Sequence, residues 1–422
     1  MLTNEQQKQF SSILEELGNA LDITKEEYDA AVKSYNAVAQ HLTRSGSLLK
    51  PYSPDILPQG SFMIGTIIRP VVEGDDIDID LVCQLTGKQD RWTQEKVKKL
   101  IGDELRSNKV YNRLLDYPDG RRCWTLKYRE NAKEGDNKYH MDILPAIVDN
   151  NYRILYEKTF SAKSLGAVNV DQLDELAIRI TDKELDNYKK ETNHHNWLKS
   201  NPFGYAKWFG SRAIVSSLGT VRETKLFSEW IEPVPTWKQD KLPLQRVVQI
   251  MKRHRDIFYS DREDKEDKPI SIIITTLAAR AYKGESNITE TLQNIVNTML
   301  DYISVEYDAY LGKDVKRVEN PVNKLENFAD KWTDFPQREN NFFEWHKQLQ
   351  KDLDDFFNKR GLGSITESLS PFGERVVQKV FSSMGTKMKN MREMGNLKAA
   401  GISGTLGDKG DKVEDHNFHG KD

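Results

Sequence analysis

Cysteine is nearly absent: Cys83 and Cys123 are the only two in 422 residues. They can form neither a disulfide framework nor a CxxC zinc site, and such usage fits a reducing cytosol. The opening MLTNEQQKQFSS holds no apolar h-region, so no signal peptide is expected. No run reaches the roughly 20 apolar residues that span a bilayer. The longest, ISIIITTLAARAY at 270–282, is interrupted by Ser and Thr. Excess positive charge is missing too: 62 Lys and Arg face 65 Asp and Glu, net −3. A protein that wraps duplex nucleic acid is usually clearly basic. The chain is therefore expected to be soluble and cytoplasmic, without a membrane or duplex DNA as partner.

What is present is enough for a core: 37% hydrophobic and 9% aromatic residues rule out a disordered chain. At about 150 residues per domain, two or three domains or one two-lobed unit fit the length. Helices are predicted over 3–20 and 24–43, the second opened by a capping box from Thr24 to Glu27. Prolines 51, 54 and 58 mark a loop. A strand follows at 77–85, a helix at 91–108, and strands at 120–130 and 138–148 around a hairpin loop at 131–137. Beyond about 190 strand patterns become scarce. Helices are expected at 244–259, 270–282, 288–303 and 342–360, with DREDKEDK at 261–268 as a solvated loop. This divides the chain into a lobe at 1–195, a helical lobe at 196–384 and a flexible, Gly- and Lys-rich tail at 385–422.

The chemistry concentrates in QGSFMIGTIIRPVVEGDDIDIDLV, residues 59–82. Strand alternation puts Asp76, Asp78 and Asp80 on one face, with successive carboxylates roughly 6–7 Å apart. Burying such a row without cations is very costly, so the face is either open to water or binds metal. All-oxygen ligands favour Mg²⁺ or Mn²⁺ over zinc. Two ions about 3.5–4 Å apart can clamp the attacking and leaving oxygens of a phosphoryl displacement. Asp142, in the apolar strand YHMDILPAI, completes the site if the two strands are neighbours; otherwise it is an edge-strand acid. Gly60-Ser61 lets the backbone approach a phosphate.

Taken together, Gln59-Gly60-Ser61-Phe62, Gly65-Thr66, Arg69-Pro70, Asp78-Ile79-Asp80-Leu81-Val82 and Met141-Asp142-Ile143-Leu144-Pro145 resemble the DNA polymerase β nucleotidyltransferase superfamily. The pattern is more similar to the bacterial cGAS/DncV-like nucleotidyltransferases, the CD-NTases of CBASS antiphage systems. Ser200-Asn201-Pro202, Gly204-Tyr205-Ala206, Trp208-Phe209, Lys252-Arg253-His254-Arg255-Asp256 and Lys268-Pro269-Ile270-Ser271 extend the likeness over roughly 20–300. The resemblance implies an α+β fold. A polymerase-β-like lobe with a small mixed sheet would face an α-helical lobe, with the active site between them. It implies two Mg²⁺ (alternatively Mn²⁺) on Asp78, Asp80 and Asp142. Gln59, Gly60 and Ser61 would hold the donor triphosphate, reached across the cleft by Lys252 and Ser271. The implied activity joins NTPs, ATP among them, into a cyclic di- or trinucleotide messenger with release of pyrophosphate. CBASS accessory proteins acting on the C-terminal tail are the implied partners.

Other readings stay open at this point. Asp76-Ile77-Asp78 also fits Asp-x-Asp, although only the pair Asp78 and Asp80 is followed by two apolar residues. Lys252–Arg255 reads equally as a solvated helix face, Ser271 as a helix Ser bonding its own backbone, and Trp208-Phe209 and Cys83 as core. His194-His195 lacks a cysteine or third histidine nearby in sequence, so metal binding is not expected there. The zinc insertion of the animal DNA sensor is missing. The same chemistry on an RNA end or a protein acceptor is the alternative function. A non-catalytic nucleotide-binding scaffold is the alternative of another class.

Overall fold

The sheet follows from the alternation just described. A computed structural model describes residues 2–71, 76–129, 138–160, 170–214, 237, 240–399, 406–407 and 411–412. Its main sheet comprises β1 (Asp55–Pro58), β2 (Ile77–Thr86), β3 (Trp124–Tyr128), β4 (Tyr139–Val148), β5 (Ile178–Ile180) and β6 (Leu198–Ser200). β2 and β4 run parallel, pairing Asp78 with His140 and Asp80 with Asp142. β1 lies antiparallel along the other side of β2. β3 and β5 take successive stretches of the far edge of β4, and β6 follows β5. The hairpin loop expected at 131–137 lies outside the described residues.

Helices α1 (Asn4–Leu21), α2 (Lys25–Thr43), α3 (Gly60–Met63), α4 (Gln94–Arg106) and α5 (Lys109–Leu114) belong to the first part of the chain. The capping box at α2 is present: Glu27 N–H donates to Thr24 Oγ1 at 3.1 Å and Thr24 N–H to Glu27 Oε2 at 2.6 Å. One sheet face, with Ile77, Ile79, Leu81, Cys83, Met141 and Ile143, packs beneath α2 and α4. The other face changes character along its length. Asp78, Asp80, His140 and Asp142 occupy one end, while Val82, Leu144, Ala146 and Val148 enter a second core.

That second core is helical. It is built by α8 (Pro202–Ile214), α9 (Pro243–Tyr259), α10 (Ser271–Ala281) and α11 (Ile288–Thr298), after the short α6 (Tyr152–Thr159) and α7 (Val170–Leu173). α12 (Lys331–Asp334), α13 (Pro336–Asn358), α14 (Leu362–Ser368) and α15 (Glu374–Glu393) complete it. Trp208 and Phe209 are core residues.

Three features differ from the sequence expectation. First, α1 joins the helical core rather than the 1–195 lobe: Phe10, Ile13, Leu14, Leu17 and Leu21 are buried there. Each such side chain contributes about 1.5–3 kcal/mol of apolar transfer. Gly18 leaves room for the buried Arg246 to cross α1 and donate to Asp22 Oδ2 at 2.7 Å and Asn19 Oδ1 at 2.6 Å. Second, the helix predicted over 288–303 ends at Thr298. Two small antiparallel pairs follow, β7 (Ser304–Asp308) with β8 (Lys313–Arg317) and β9 (Glu319–Asn320) with β10 (Asn323–Asn327). Their high charge hides the alternation, and Gly312, at φ +65°, supplies the turn. Third, α15 runs through 385 to Glu393, because Ser383 Oγ donates to Glu16 at 2.8 Å and Lys387 pairs with the same carboxylate. Beyond it 398–399, 406–407 and 411–412 form a three-stranded antiparallel sheet. The remainder of the expected flexible tail lies outside the described residues. Among the described residues no helix is long and apolar enough to cross a membrane.

Candidate active site

The turn after β1 is fastened to the acid strand, since Gln59 N–H donates to Asp80 C=O at 2.9 Å. Gly60 then takes φ +61°, and a Cβ there would collide with the Asp80 carboxylate. Both the conformation and the close approach require glycine. Ser61 follows within the single turn of α3.

The acids stand opposite this turn. Burial pushes the Asp80 carboxyl up to about 7, with Asp78 and Asp142 adding to the effect. Asp142 is raised as well, first by burial, against the lowering effect of the Thr125 hydroxyl that donates to Asp142 Oδ1. His140 lies between them: its Nε2 is 3.2 Å from Asp78 and its Nδ1 3.6 Å from Asp76. The hydrogen bond to Asp78 pushes the imidazole up to about 9. Ligand atoms of Asp78, His140 and Asp142 all lie within 4.8 Å of one another. Carboxylates crowded together and partly buried, whose anionic forms are costly without a counter-charge, suit a hard divalent cation, which would displace the proton of His140 or the ring itself from Asp78.

The opposite wall comes from the helical core. Lys252, Arg253, His254 and Arg255 on α9 are all buried, not a solvated face. His254 bonds Asp352 at 2.9 Å, and Arg253 donates to Arg69 C=O at 2.6 Å. Lys252 Nζ donates to Thr66 C=O at 3.0 Å. Burial pulls its amine down to about 8, with Arg255 next. Arg255 Nη1 donates to both Pro269 C=O and Ser271 Oγ at 2.9 Å, so the Ser271 hydroxyl is tied across helices at the start of α10.

Gln59, Gly60, Ser61, Asp78, Asp80, Lys252 and Ser271 all line one cleft of about 900 Å³. Asp76 lines it too. Asp142 faces an adjoining recess of about 460 Å³ with Thr125, Arg121 and Arg122. The charged run 261–268 is the expected, mostly exposed loop between α9 and α10, and its Lys265, Glu266 and Lys268 also border the cleft. Sequence reasoning missed His140, although its spacing to Asp142 repeats that of Asp78 to Asp80. It also missed Asn320, Glu326 and Phe328, which the unrecognised β9–β10 pair brings to the wall of the cleft.

Residues 54–145 match the model of the cyclic GMP-AMP synthase DncV-like nucleotidyltransferase domain. A c-di-GMP synthase of Roseivirga ehrenbergii is 26% identical over 362 residues, 86% of this chain and 83% of its own length. The cyclic dinucleotide synthase CdnG of Bradyrhizobium diazoefficiens is 22% identical over 418 residues, 93% of this chain and 88% of its own. The structure of CdnG in complex with GTP superposes with a TM-score of 0.60 at 19% identity, covering 89% of this chain and 99% of that one. Vibrio cholerae DncV in complex with ATP, GTP and 5MTHFGLU2 gives 0.51 at 15% identity, covering 90% and 94%. The α+β fold is thus shared with both.

Proposed function

Since the chain belongs to the cGAS/DncV-like nucleotidyltransferase family (CD-NTases), we propose that it joins nucleoside triphosphates into a cyclic dinucleotide messenger, releasing pyrophosphate. The observation that carries this is the convergence of the Gly60-Ser61 turn, the acid row and the Lys252–Ser271 wall on one cleft.

The Gly60-Ser61 turn and Gln59 hold the donor triphosphate from one side, and Lys252 and Ser271 hold it from the other. Asp142, oriented by the Thr125 hydroxyl, accepts a hydrogen bond from the attacking ribose hydroxyl of the second nucleotide. Two Mg²⁺ (or Mn²⁺) ions on Asp78, Asp80 and Asp142 would supply charge neutralisation at the attacking and leaving oxygens. The remaining rate enhancement is positioning within the cleft. A second attack in the same cleft closes the ring.

The β9–β10 part of the cleft wall supports a choice of base. Asn320 Nδ2 donates to Glu326 Oε2 at 2.7 Å, and burial raises the Glu326 carboxyl. A carboxylate there complements the N1–H and N2–H donors of guanine. It opposes the N1 lone pair of adenine, and an unmatched buried polar pair discriminates strongly. We therefore read GTP as the nucleotide beside Glu326. The resemblance to CBASS enzymes extends the role to antiphage signalling, with accessory proteins acting on the tail. Expression with its neighbouring genes, with and without phage challenge, tests that role.

Incubating the protein with the four labelled NTPs and Mg²⁺, followed by phosphatase, tests the activity. Phosphatase-resistant small products are expected. Long polymer or labelled protein would move the chemistry to an RNA end or a protein acceptor. The absence of any product would leave a nucleotide-binding scaffold.

A further inference from the structure

His194-His195, without a third ligand nearby in sequence, gains one from the fold. The 3₁₀ turn His194–Asn196 folds back from the start of β6 onto the segment after β4, where Asp149 follows Val148. His194 Nε2 lies 3.1 Å from Asp149 Oδ1. The two imidazole rings have centroids 4.2 Å apart. Ligand atoms of Asp149, His194 and His195 all fall within 4.8 Å of one another.

The turn that presents the histidines is built rather than loose. His195 N–H donates to Asn193 Oδ1 at 3.1 Å. The Glu191 carboxylate accepts from Asn193 N–H at 2.7 Å and from the Asn196 amide at 3.0 Å. Trp197, 2% exposed, anchors the end of the turn through its indole N–H on Glu191 C=O at 3.2 Å. A tetrahedral ion with bonds of about 2.0–2.1 Å needs donors about 3.3 Å apart. The His194–Asp149 pair already meets that spacing, and the exposed His195 ring has only to swing inward.

We propose that Asp149, His194 and His195 form a transition-metal site, Zn²⁺ by donor chemistry, that staples the approach to β6 onto the end of β4. Two imidazole nitrogens and one carboxylate are borderline donors that suit Zn²⁺, Co²⁺ or Ni²⁺ rather than Mg²⁺. The site borders a cavity of about 740 Å³ that shares no lining residue with the catalytic cleft. Cations in that cavity are largely engaged: Lys199 pairs with Asp174 at 2.6 Å and Arg179 donates to Trp197 C=O at 3.2 Å. A water completes the ion's shell at the open position. Asp149 lies seven residues along the chain from Asp142, about 23 Å at strand rise, so the ion takes no part in the cleft.

Calorimetric titration of full-length protein with Zn²⁺ tests the site. An Asp78→Asn, Asp80→Asn background removes competition from the acid row. One equivalent of Zn²⁺ is expected to bind, and Co²⁺ in its place is expected to show the visible absorption of a tetrahedral complex. Adding His195→Ala or Asp149→Asn should weaken uptake by more than about 100-fold, beyond what an outer-sphere change costs. Asp149 is 71% exposed at its side chain, so its variant reports binding with little risk to folding, and thermal melts without metal check this. Undiminished Zn²⁺ binding in both variants, or no stoichiometric uptake by the parent, overturns the proposal.

Discussion

Replacing Gly60 by alanine isolates the contact on which the cleft geometry turns. At φ +61° an L-residue costs about 1–2 kcal/mol. That alone would lower Tm by no more than a few degrees in a chain of this size. The larger consequence is local. The new methyl would occupy the position of the Asp80 carboxylate, and the two main chains cannot simply part, because Asp80 C=O is held by Gln59 N–H at 2.9 Å. Either the turn or the carboxylate shifts, and a displacement of about 1 Å at a reacting centre costs on the order of 100-fold in rate. We therefore expect Gly60→Ala to lose about 100-fold in pyrophosphate release while keeping a cooperative melt. Gly46→Ala is the control: an added Cβ there meets nothing within 4 Å, and both readouts should stay at wild-type levels. A Gly60→Ala enzyme within about threefold of wild-type turnover would refute the role given to the close approach.

Asp78→Asn with Asp80→Asn should abolish cyclic product, by at least about 1,000-fold, with Tm unchanged or higher because like charges are relieved; normal turnover in the folded double variant would sink the metal assignment. Lys252, near 8 instead of the ordinary 10.5, discharges as pH rises through that value, so apparent NTP affinity should fall above about pH 8, and Lys252→Arg should flatten the profile. The same depressed value makes the unfolded chain bind more protons between pH 8 and 10.5, so the Lys252 contribution to stability rises across that window, readable as denaturant midpoints. Glu326→Gln should shift competition between GTP and ATP towards ATP by about 10- to 150-fold, the range of one charge-assisted hydrogen bond; an unchanged preference with intact turnover would remove Glu326 from base choice without touching the cyclase reading. Deleting 395–422 should leave NTP turnover nearly unchanged, and a large loss would mean that the tail packs on the catalytic bodies.

Alternation made the acid row readable: Asp78 and Asp80 are spaced by the strand period, and Asp142 is conspicuous in an apolar strand. That β2 and β4 pair in parallel, setting Asp80 beside Asp142, is a long-range fact that no local pattern encodes. His140 escaped notice because a lone histidine carries little signal until its register partner is known. Read without the family pattern, the Lys252–Arg255 run points to a solvated face for the opposite reason. Four ionisable residues in a row usually face water, yet here partners from 66–70, 269–271 and 352 receive them inside the protein. The helix over 3–20 was legible, but its place in the 1–195 lobe followed from chain order alone, and nothing local tells that its apolar face packs on the helical core. Glu326 was invisible because the charged β7–β10 segment looked like neither strand nor helix.

The union of α1 with α9 and α15 has a consequence for how the chain is made. During synthesis α1 emerges first, but the groove that covers Phe10, Leu14 and Leu17 does not exist until α9 has left the ribosome. Glu16 waits longer still, for Ser383 and Lys387. At 5–20 residues per second the wait for α9 is about 12–50 s, during which the nascent chain carries an unpaired apolar helix, and the wait of Glu16 for Lys387 is about 20–75 s. The sheet bearing the acids is translated early, whereas the wall holding Lys252 and Ser271 is translated late. A chain stalled before residue 252 therefore displays the acid row without its counterpart, and the cleft is complete only once Lys252, Ser271 and the β9–β10 pair have been made.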